Sequence, residues 1–173
     1  RAVAPSRGLG DVYKRQGVDS QAMLVTASES IVEPVMQAIR EQLDRLPRKE
    51  ITEKSLGHSR LIVLKDKQEV IDFTNLYAPE HLIIQTTDYA DIAGQIENAG
   101  SVFMGPYTPE SAGDYASGTN HTLPTNGYAK AYSGVNLDSF IKKITFQEIT
   151  ADGIKQLGGT IQAMAANEQL DAH

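Results

Sequence analysis

Four short apolar runs alternate with amphipathic stretches over roughly the first hundred residues. An uninterrupted apolar run of four to six residues is typical of a parallel strand that is buried on both faces. The stretches between the runs repeat apolar residues every three or four positions, which predicts helices. The predicted strands cover residues 21–26, 60–64, 81–85 and 101–104, and the predicted helices begin near Ser30, Lys67 and Asp88. This alternation predicts an α/β fold, a Rossmann-like parallel sheet with helices on both faces.

The predicted helices differ in how clearly their ends are marked. Ser30 followed by Glu33 has the form of a capping box, so we expect the first helix to begin there, and Pro47 to end it. The charged stretch 48–54 is interpreted as a solvated face. The third helix is expected to extend past Ile96 toward the Ala-Gly pair before the fourth strand.

The chain after the fourth predicted strand changes character. Residues 105–136 are rich in Gly, Pro, Thr, Ser and Asn, and a loop of this length in a compact domain is usually functional or disordered. Residues 137–149 predict a short helix and a strand. From Ala151 an amphipathic helical tail follows, with a break or bend expected near Gly158 and Gly159. Its apolar stripe requires a covering surface, on this domain or on a partner subunit.

The first residues do not share the periodicity of the rest. Residues 11–16 resemble the translation of a transposon mosaic-end adapter used in library sequencing, so residues 1–16 are interpreted as a foreign leader, with a natural disordered arm as the alternative. The predicted division is therefore a leader, a Rossmann-like domain over 17–136 that includes the loop, and a helical tail over 137–173, interpreted as a dimerisation element.

Composition excludes several classes of function. The chain has 22 acidic and 16 basic residues, a net charge of -6, and no basic cluster that would bind nucleic acid or an anionic membrane. It has no cysteine, so disulfides and thiolate metal sites are excluded. No apolar run approaches the roughly 20 residues of a membrane span, and no signal peptide is evident. We therefore expect a soluble cytoplasmic protein.

Candidate chemistry is concentrated in the turn-rich segments. Glu80 and His81 are adjacent, and both residue types suit proton transfer near neutral pH. Asp114 and His121 offer oxygen and nitrogen donors for a metal or a cationic substrate. The alternatives are a solvated helix start for the Glu-His pair and a turn role for the aspartate. His58 is interpreted as a solvated loop residue.

Three of these segments closely resemble the histidinol dehydrogenase family. They are YAPEHL at 77–82, AGSVFMGPYTPE at 99–110 and GDYASGTNHTLPT at 113–125, and the resemblance extends from Gly17 to His173. The resemblance implies a zinc- and NAD-dependent oxidation of L-histidinol to L-histidine through histidinal. It also implies that this chain corresponds to the second of two similar domains, the first of which makes most NAD contacts. The absence of a G-x-G-x-x-G motif agrees, and no NAD-binding residue is assigned.

The resemblance also implies a role for individual residues. His81 would be the general base that takes the alcohol proton, and Glu80 would activate the water that adds to the aldehyde. Asp114 would be a zinc ligand, and His81, Asp114 and His121 would contact the substrate. The tail resembles a Glu-x-Leu-x-x-His pattern, in which Glu168 would bind substrate and His173 would bind both substrate and zinc. Those tail residues would enter the active site of the other subunit of a homodimer.

The sequence departs from the family in one segment. Two further zinc ligands of the family, a Gln and a His, lie immediately before the position of Gly17, where this chain has Tyr13 and Gln16. We therefore expect the isolated chain to be inactive or nearly so. Two other functions stay open, a non-catalytic flavodoxin-like binding module and a metal-dependent hydrolase that uses Glu80, Asp114 and His121. Four tyrosines of the loop either line the pocket or pack ordinarily, namely Tyr107, Tyr115, Tyr128 and Tyr132.

Overall fold

A computed structural model of the chain describes residues 20–47 and 49–170. The leader interpretation concerns residues 1–16, which lie outside this described part. The strands are β1 (Met23–Thr26), β2 (Arg60–Val63), β3 (His81–Ile84) and β4 (Ser101–Met104). The helices are α1 (Val32–Leu43), α2 (Lys49–His58), α3 (Lys67–Tyr77), α4 (Tyr89–Ala93), α5 (Glu110–Tyr115) and α6 (Ala151–Asn167). Three 3-10 turns cover Glu29–Ile31, Tyr128–Lys130 and Leu137–Phe140. The predicted α/β class is confirmed.

The strands pair in parallel, as their apolar runs predict. Met23 pairs with Arg60 at the start of the β1–β2 ladder, and His81 pairs with Ser101 at the start of the β3–β4 ladder. In the described residues, however, the strands form two two-stranded ladders rather than one continuous sheet. The two pairs also differ in burial, since β1 and β2 bury no residue completely whereas β3 and β4 bury Ile84 and Phe103.

The charged residues of the stretch 48–54 that the structure describes are exposed, as a solvated face requires, but they lie on a helix, α2, whose other face is buried. Thr52 and Ser55 on this helix are completely buried, and the Ser55 hydroxyl donates a hydrogen bond to the carbonyl of Ser20 over 2.8 Å. The apolar pattern did not predict this helix, because the residues on its buried face are polar. His58 was expected in a loop and is instead the last, exposed residue of α2.

The predicted capping box at the first helix is also wrong. A 3-10 turn over Glu29–Ile31 precedes α1, and neither start has a side-chain cap. The Ser30 hydroxyl lies 2.7 Å from the Ser28 hydroxyl, so these two side chains satisfy each other instead of the helix backbone. Helix α1 ends at Leu43, before Pro47 is reached.

The β3–β4 pair carries the better-packed core of the chain. Side chains alternate between the two faces of a strand, and one face presents Leu82, Ile84 and Val102. Ile71 of α3 and Ile92 of α4 pack against that face and are buried. The opposite face presents His81 and Phe103, and α5 approaches it. Helices therefore cover both faces of this pair, as predicted.

Helix α4 is shorter than its apolar pattern predicts. It ends at Ala93, although Ile96 beyond it still packs against the core. Asp88 precedes the helix but makes no side-chain cap there; its carboxylate accepts a hydrogen bond from Lys67 Nζ over 3.0 Å. That hydrogen bond lowers the pKa of the Asp88 carboxyl, and hydrogen bonds to Asp91 and Asp88 raise the pKa of the Lys67 amine.

The segment after β4 is partly ordered into short elements. The expected loop over 105–136 contains α5 and a 3-10 turn. The strand expected within 137–149 does not form; residues 141–150 have no regular structure. An apolar run becomes a strand only where another strand edge accepts its backbone hydrogen bonds, and here Ile144 and Phe146 are exposed.

The chain divides into two compact units, one through Ser139 and a second from Phe140 onward. In the second unit α6 runs through Gly158 and Gly159 without the expected break, and the Thr150 side chain caps it by accepting from the Gly153 amide over 3.1 Å. Its apolar side chains stay exposed, namely Ile154, Leu157, Ile161 and Met164. Within the described residues no helix is long and apolar enough to cross a membrane.

Candidate active site

The Glu80–His81 pair lies at the junction between α3 and β3. Ala78 ends α3 in the left-handed conformation, with φ 54° and ψ 66°, and its amide donates to the carbonyl of Thr74 over 2.9 Å. An alanine seldom adopts this conformation, and Ala78 does so while only 1% of its surface is exposed. The surrounding packing therefore fixes the turn that aims Glu80 and His81.

The backbone of Glu80 is held by the strand beside it. The Gly100 amide donates to the carbonyl of Pro79, and the Ser101 amide donates to the carbonyl of Glu80, each over 2.9 Å. A Cβ at Gly100 would lie 2.5 Å from the Glu80 carbonyl oxygen and 3.2 Å from Leu123 Cβ. Only glycine permits this approach, and Leu123 brings the NHTLPT segment over the same point.

His81 is the first residue of β3, and its side chain is about three-quarters buried. Its ring stacks on Phe103, with 6.1 Å between centroids and an interplanar angle of 30°. His81 Nδ1 lies 3.9 Å from Glu80 Oε1, and His81 Nε2 lies 3.4 Å from Glu110 Oε1. The imidazole therefore stands between two carboxylates, one on each ring nitrogen.

Helix α5 supplies two carboxylates to the same face of β3–β4. Glu110 and Asp114 are four residues apart, so they lie on one side of the helix. Gly113 allows the helix to approach closely, since a Cβ there would lie 2.8 Å from Phe103 Cε1. The hydroxyl of Thr119 donates to the carbonyl of Gly113 over 2.9 Å, which ties the following loop to the helix.

Three side chains meet at this point in a way that suits a metal ion. One ligand atom each from His81, Glu110 and Asp114 lies within 4.8 Å of the others, and Glu110 is buried while the other two are half-buried. Nitrogen and carboxylate oxygen donors are those that zinc takes in proteins that offer no thiolate. The buried Nε2 of His81 accepts or donates no hydrogen bond among the described residues. The donor set of His81, Glu110 and Asp114 therefore fits a divalent ion.

The predicted site residues are only partly brought together. His81 and Asp114 belong to the cluster, and Glu80 adjoins it. His121 lies exposed in the loop, so the described residues do not gather the hydrolase set of Glu80, Asp114 and His121. The four loop tyrosines are exposed, namely Tyr107, Tyr115, Tyr128 and Tyr132.

The tail residues lie in the second unit or beyond the described part. Glu168 follows α6 and is exposed, with its amide donating to the carbonyls of Met164 and Ala165, each over 3.1 Å. His173 lies outside the described residues. The predicted roles of Glu168 and His173 therefore stay predictions.

Glu110 is the member of the cluster that sequence reasoning left without a role. It closes the GPYTPE segment, where Pro109 marks the start of a helix and an acidic residue in the first turn is ordinary. The signal that distinguishes it is its burial, since only 5% of its surface is exposed. A sequence pattern does not report that burial.

Comparison with known proteins identifies close relatives. The model of the histidinol dehydrogenase family matches residues 14–173. A histidinol dehydrogenase of Bacteroides fragilis is 66% identical over 157 residues, which are 91% of this chain and 37% of that protein. A chloroplastic histidinol dehydrogenase of Arabidopsis thaliana is 53% identical over 158 residues, 91% of this chain and 34% of that protein.

A solved structure agrees with the sequence relatives. The crystal structure of histidinol dehydrogenase from Elizabethkingia anophelis matches with a TM-score of 0.86 and 50% identity, over 99% of this chain and 40% of that one. The chain thus spans less than half the length of the relatives it matches. The family model covers nearly all of the sequence, and the chain belongs to the histidinol dehydrogenase family.

Proposed function

We propose that this chain carries the acid–base part of a histidinol dehydrogenase active site. The activity is the NAD- and zinc-dependent oxidation of L-histidinol to L-histidine through histidinal. The observation that supports it is the placement of His81 between Glu80 and the buried Glu110, beside Asp114. The chain spans 37% of a typical relative, so the remaining parts of the site are assigned to the region of the relatives that it does not match.

The stoichiometry of this reaction sets what the residues must do. One alcohol, one water and two NAD⁺ give one carboxylate, two NADH and three protons. His81 takes the hydroxyl proton as a hydride leaves the carbinol carbon for the first NAD⁺, because imidazole is a base near neutral pH. Glu80 takes a proton from the water that adds to the aldehyde carbon. A second hydride transfer from the hydrate then gives the acid.

The same assignment gives the metal and substrate contacts. Asp114 holds zinc, and His81, Asp114 and His121 contact the substrate. When bound, zinc acts as a Lewis acid and as an anchor that orients the substrate. The structure supports the Asp114 assignment through the donor cluster of which it is a member. His173, a further ligand by resemblance, lies outside the described residues, and Glu168 is proposed to bind substrate.

We also propose a cytoplasmic homodimer in which the tails are exchanged. The exposed apolar face of α6 supports this, because Ile154, Leu157 and Ile161 would be covered by a second copy. Tail exchange would carry Glu168 and His173 to the site of the partner. Light scattering of the purified chain gives the test: a mass of one chain at micromolar concentration would contradict it.

The experiment that tests the activity is histidinol-dependent NADH formation with zinc supplied. The chain would be compared with a fusion in which the N-terminal part of the Bacteroides fragilis histidinol dehydrogenase precedes Gly17. We expect turnover in the fusion and little or none in the chain alone. Glu80→Gln and His81→Asn should each remove turnover from the fusion while circular dichroism stays unchanged.

His58→Asn is the matched control, because His58 is an exposed histidine at the end of α2 and is expected to leave turnover unchanged. A folded fusion without turnover would contradict the proposal. The binding-module reading predicts ligand binding that survives both site substitutions, and the hydrolase reading predicts turnover without NAD. Neither has support from the family comparison.

A further inference from the structure

Asn75 joins the end of α3 to the connection that runs from α4 to β4. Its Nδ2 donates to the carbonyl of Gln95 over 3.0 Å. Its Oδ1 accepts from the amides of Glu97 and Asn98 over 2.8 and 3.3 Å, so both lone pairs of this oxygen are used. The connection has no helix or strand of its own, and the Asn75 side chain supplies the partners that a helix or strand would give its backbone.

A further hydrogen bond runs from the connection back to α3. The Asn98 Nδ2 donates to the carbonyl of Asn75 over 3.0 Å. In a continuing helix this carbonyl would accept from the amide of residue 79, but Pro79 has no N–H to donate. The Asn98 side chain therefore replaces a donor that the sequence removes. Asn75 and Asn98 each satisfy the backbone of the other, which fastens the end of α3 to the connection.

The same two segments of chain meet again at the proposed acid–base pair. The carbonyls of Pro79 and Glu80 accept from the amides of Gly100 and Ser101, each over 2.9 Å. Gly100 has no side chain to prevent this approach. Asn75 therefore fastens one end of the two segments, and the backbone of Glu80 lies at the other end.

Lys67 provides a comparison, because it also links α3 with the region of α4. Its Nζ donates to the carboxylates of Asp88 and Asp91 over 3.0 and 2.8 Å. Lys67 begins α3, about 12 Å along the helix axis from Asn75, and its ion pairs are exposed. We expect these pairs to contribute to stability without setting the backbone of Glu80. Loss of Lys67 is therefore the matched comparison for loss of Asn75.

We propose that Asn75 is a positioning residue for Glu80. Its Oδ1 gathers the amides of Glu97 and Asn98, which sets the path of the chain into Gly100. That path in turn sets where the backbone of Glu80 is held. The effect on turnover rests on the proposed function, in which Glu80 takes a proton from water; the hold on the Glu80 backbone does not. A small displacement of a reacting group can lower kcat greatly.

Amide hydrogen exchange of the 173-residue chain tests the hold on the backbone. The amides of Gly100 and Ser101 report on the start of the β3–β4 ladder. The Gly105 amide, which donates to the carbonyl of Ile84 over 3.0 Å, reports on its far end. In Asn75→Ala the first two amides should exchange roughly tenfold faster relative to Gly105. An equal acceleration of all three amides, or none, would overturn the proposal, because Asn75 would then act on global stability alone or not at all.

Three further variants separate the role of the side-chain oxygen from that of general stability. Asn75→Asp retains an oxygen in the place of Oδ1 and should keep most of the protection; a loss equal to that of Asn75→Ala would contradict the proposal. Asn98→Ala removes one hydrogen bond and should give a smaller effect at the same two amides, so it replaces Asn75→Ala if that variant does not fold. An unchanged ratio in Asn98→Ala would then contradict the proposal. Lys67→Met should leave the ratio of the three exchange rates unchanged, and a local effect as large as that of Asn75→Ala would also count against it.

The fusion described above gives the kinetic readout. Asn75→Ala should lower kcat by roughly 10- to 100-fold with KM changed little, because Glu80 acts on water and not in binding the alcohol. Asn75→Asp should recover part of that loss, and Lys67→Met should leave kcat unchanged. If the exchange result holds and the original fusion is inactive, the hold on Glu80 stands and the proposed function fails. If the original fusion is active and Asn75→Ala keeps its kcat, positioning fails alone.

Discussion

Gly100 and Glu80 are in contact through backbone atoms that leave no room for a side chain. A Cβ at Gly100 would lie 2.5 Å from the carbonyl oxygen of Glu80, the same oxygen that accepts from the Ser101 amide. The start of β4 therefore sets the position of the proposed acid–base pair. Gly100 immediately precedes β4, and its lack of a side chain allows the close approach of two backbones.

Gly100→Ala is expected to separate the starts of β3 and β4. The added methyl cannot be accommodated by a side-chain rotation, because the atom it meets is a backbone carbonyl. Overpacking of this kind lowers the free energy of unfolding by about 1–3 kcal/mol. Urea unfolding of the chain measures it, and in the active fusion the displaced Glu80 should also lower kcat. A variant as stable as the original would show that the backbone relaxes freely there.

Gly113→Ala should disturb the site through Phe103. The new Cβ would lie 2.8 Å from Phe103 Cε1, so the ring must move, and His81 stacks on that ring. We expect a loss of about 1–3 kcal/mol in the free energy of unfolding. Changed ring signals of His81 in the NMR spectrum would accompany it.

Gly158→Ala is the matched control for this substitution. Gly158 lies in the interior of α6, and a Cβ there meets nothing within 4 Å. The same Gly-to-Ala change should therefore be neutral or stabilise the second unit by about 0.5–1 kcal/mol. Equal losses at both positions would contradict the specific role of the Gly113–Phe103 contact.

The fold was predictable where apolar pattern and tertiary environment agree. All four strands lie within or at the predicted runs, because the residues that form ladders are the apolar ones. Helix α2 was missed because its buried face is made by Thr52 and Ser55, which carry no hydrophobic signal. The strand expected within 137–149 does not form, although the segment is apolar. An apolar run forms a strand only when a neighbouring strand is available to pair with it.

The candidate site shows the same limit. Glu80, His81 and Asp114 were predicted from residue types and motif, which depend on local sequence. Recognition of Glu110 as a member of the cluster requires a long-range contact to be known, because α5 lies against the face of β3–β4 that carries His81. Nothing within the GPYTPE segment reports that contact, so it could be recognised only from the fold.

The ion pairs of Lys67 give a prediction for the effect of pH on stability. Lys67 Nζ lies 2.8 Å from Asp91 and 3.0 Å from Asp88. The pKa of Asp88 is lowered, so its contribution is present above the unfolded-state value of 3.8 and is lost as pH falls through the lower folded value. The pKa of Lys67 is raised, so its contribution is present below 10.5 and is lost as pH rises through the higher folded value.

Lys67→Met should therefore lower the free energy of unfolding at pH 6, where both groups are charged. The difference from the original chain should shrink below about pH 3.5 and also in molar salt, because the pairs are exposed. Urea unfolding at pH 6 and pH 2.5 measures both. Lys65→Met serves as the control, since Lys65 lies 3.9 Å from its acidic neighbour Asp66 and is more exposed. A difference that persists at pH 2.5 would point to packing of the Lys67 stem instead.

Removal of zinc and of its proposed ligand gives the last prediction. Asp114 belongs to the donor cluster, so Asp114→Asn should weaken zinc binding by at least about tenfold, since even groups that only orient a ligand contribute that much. Competition with a fluorescent chelator measures the affinity of the chain and of the fusion. In the fusion, a chelator should abolish NADH formation and added zinc should restore it. His58→Asn removes an exposed histidine outside the cluster and should leave the affinity unchanged. Equal affinities for Asp114→Asn and the original would remove Asp114 from the metal site and leave the cluster to proton transfer alone.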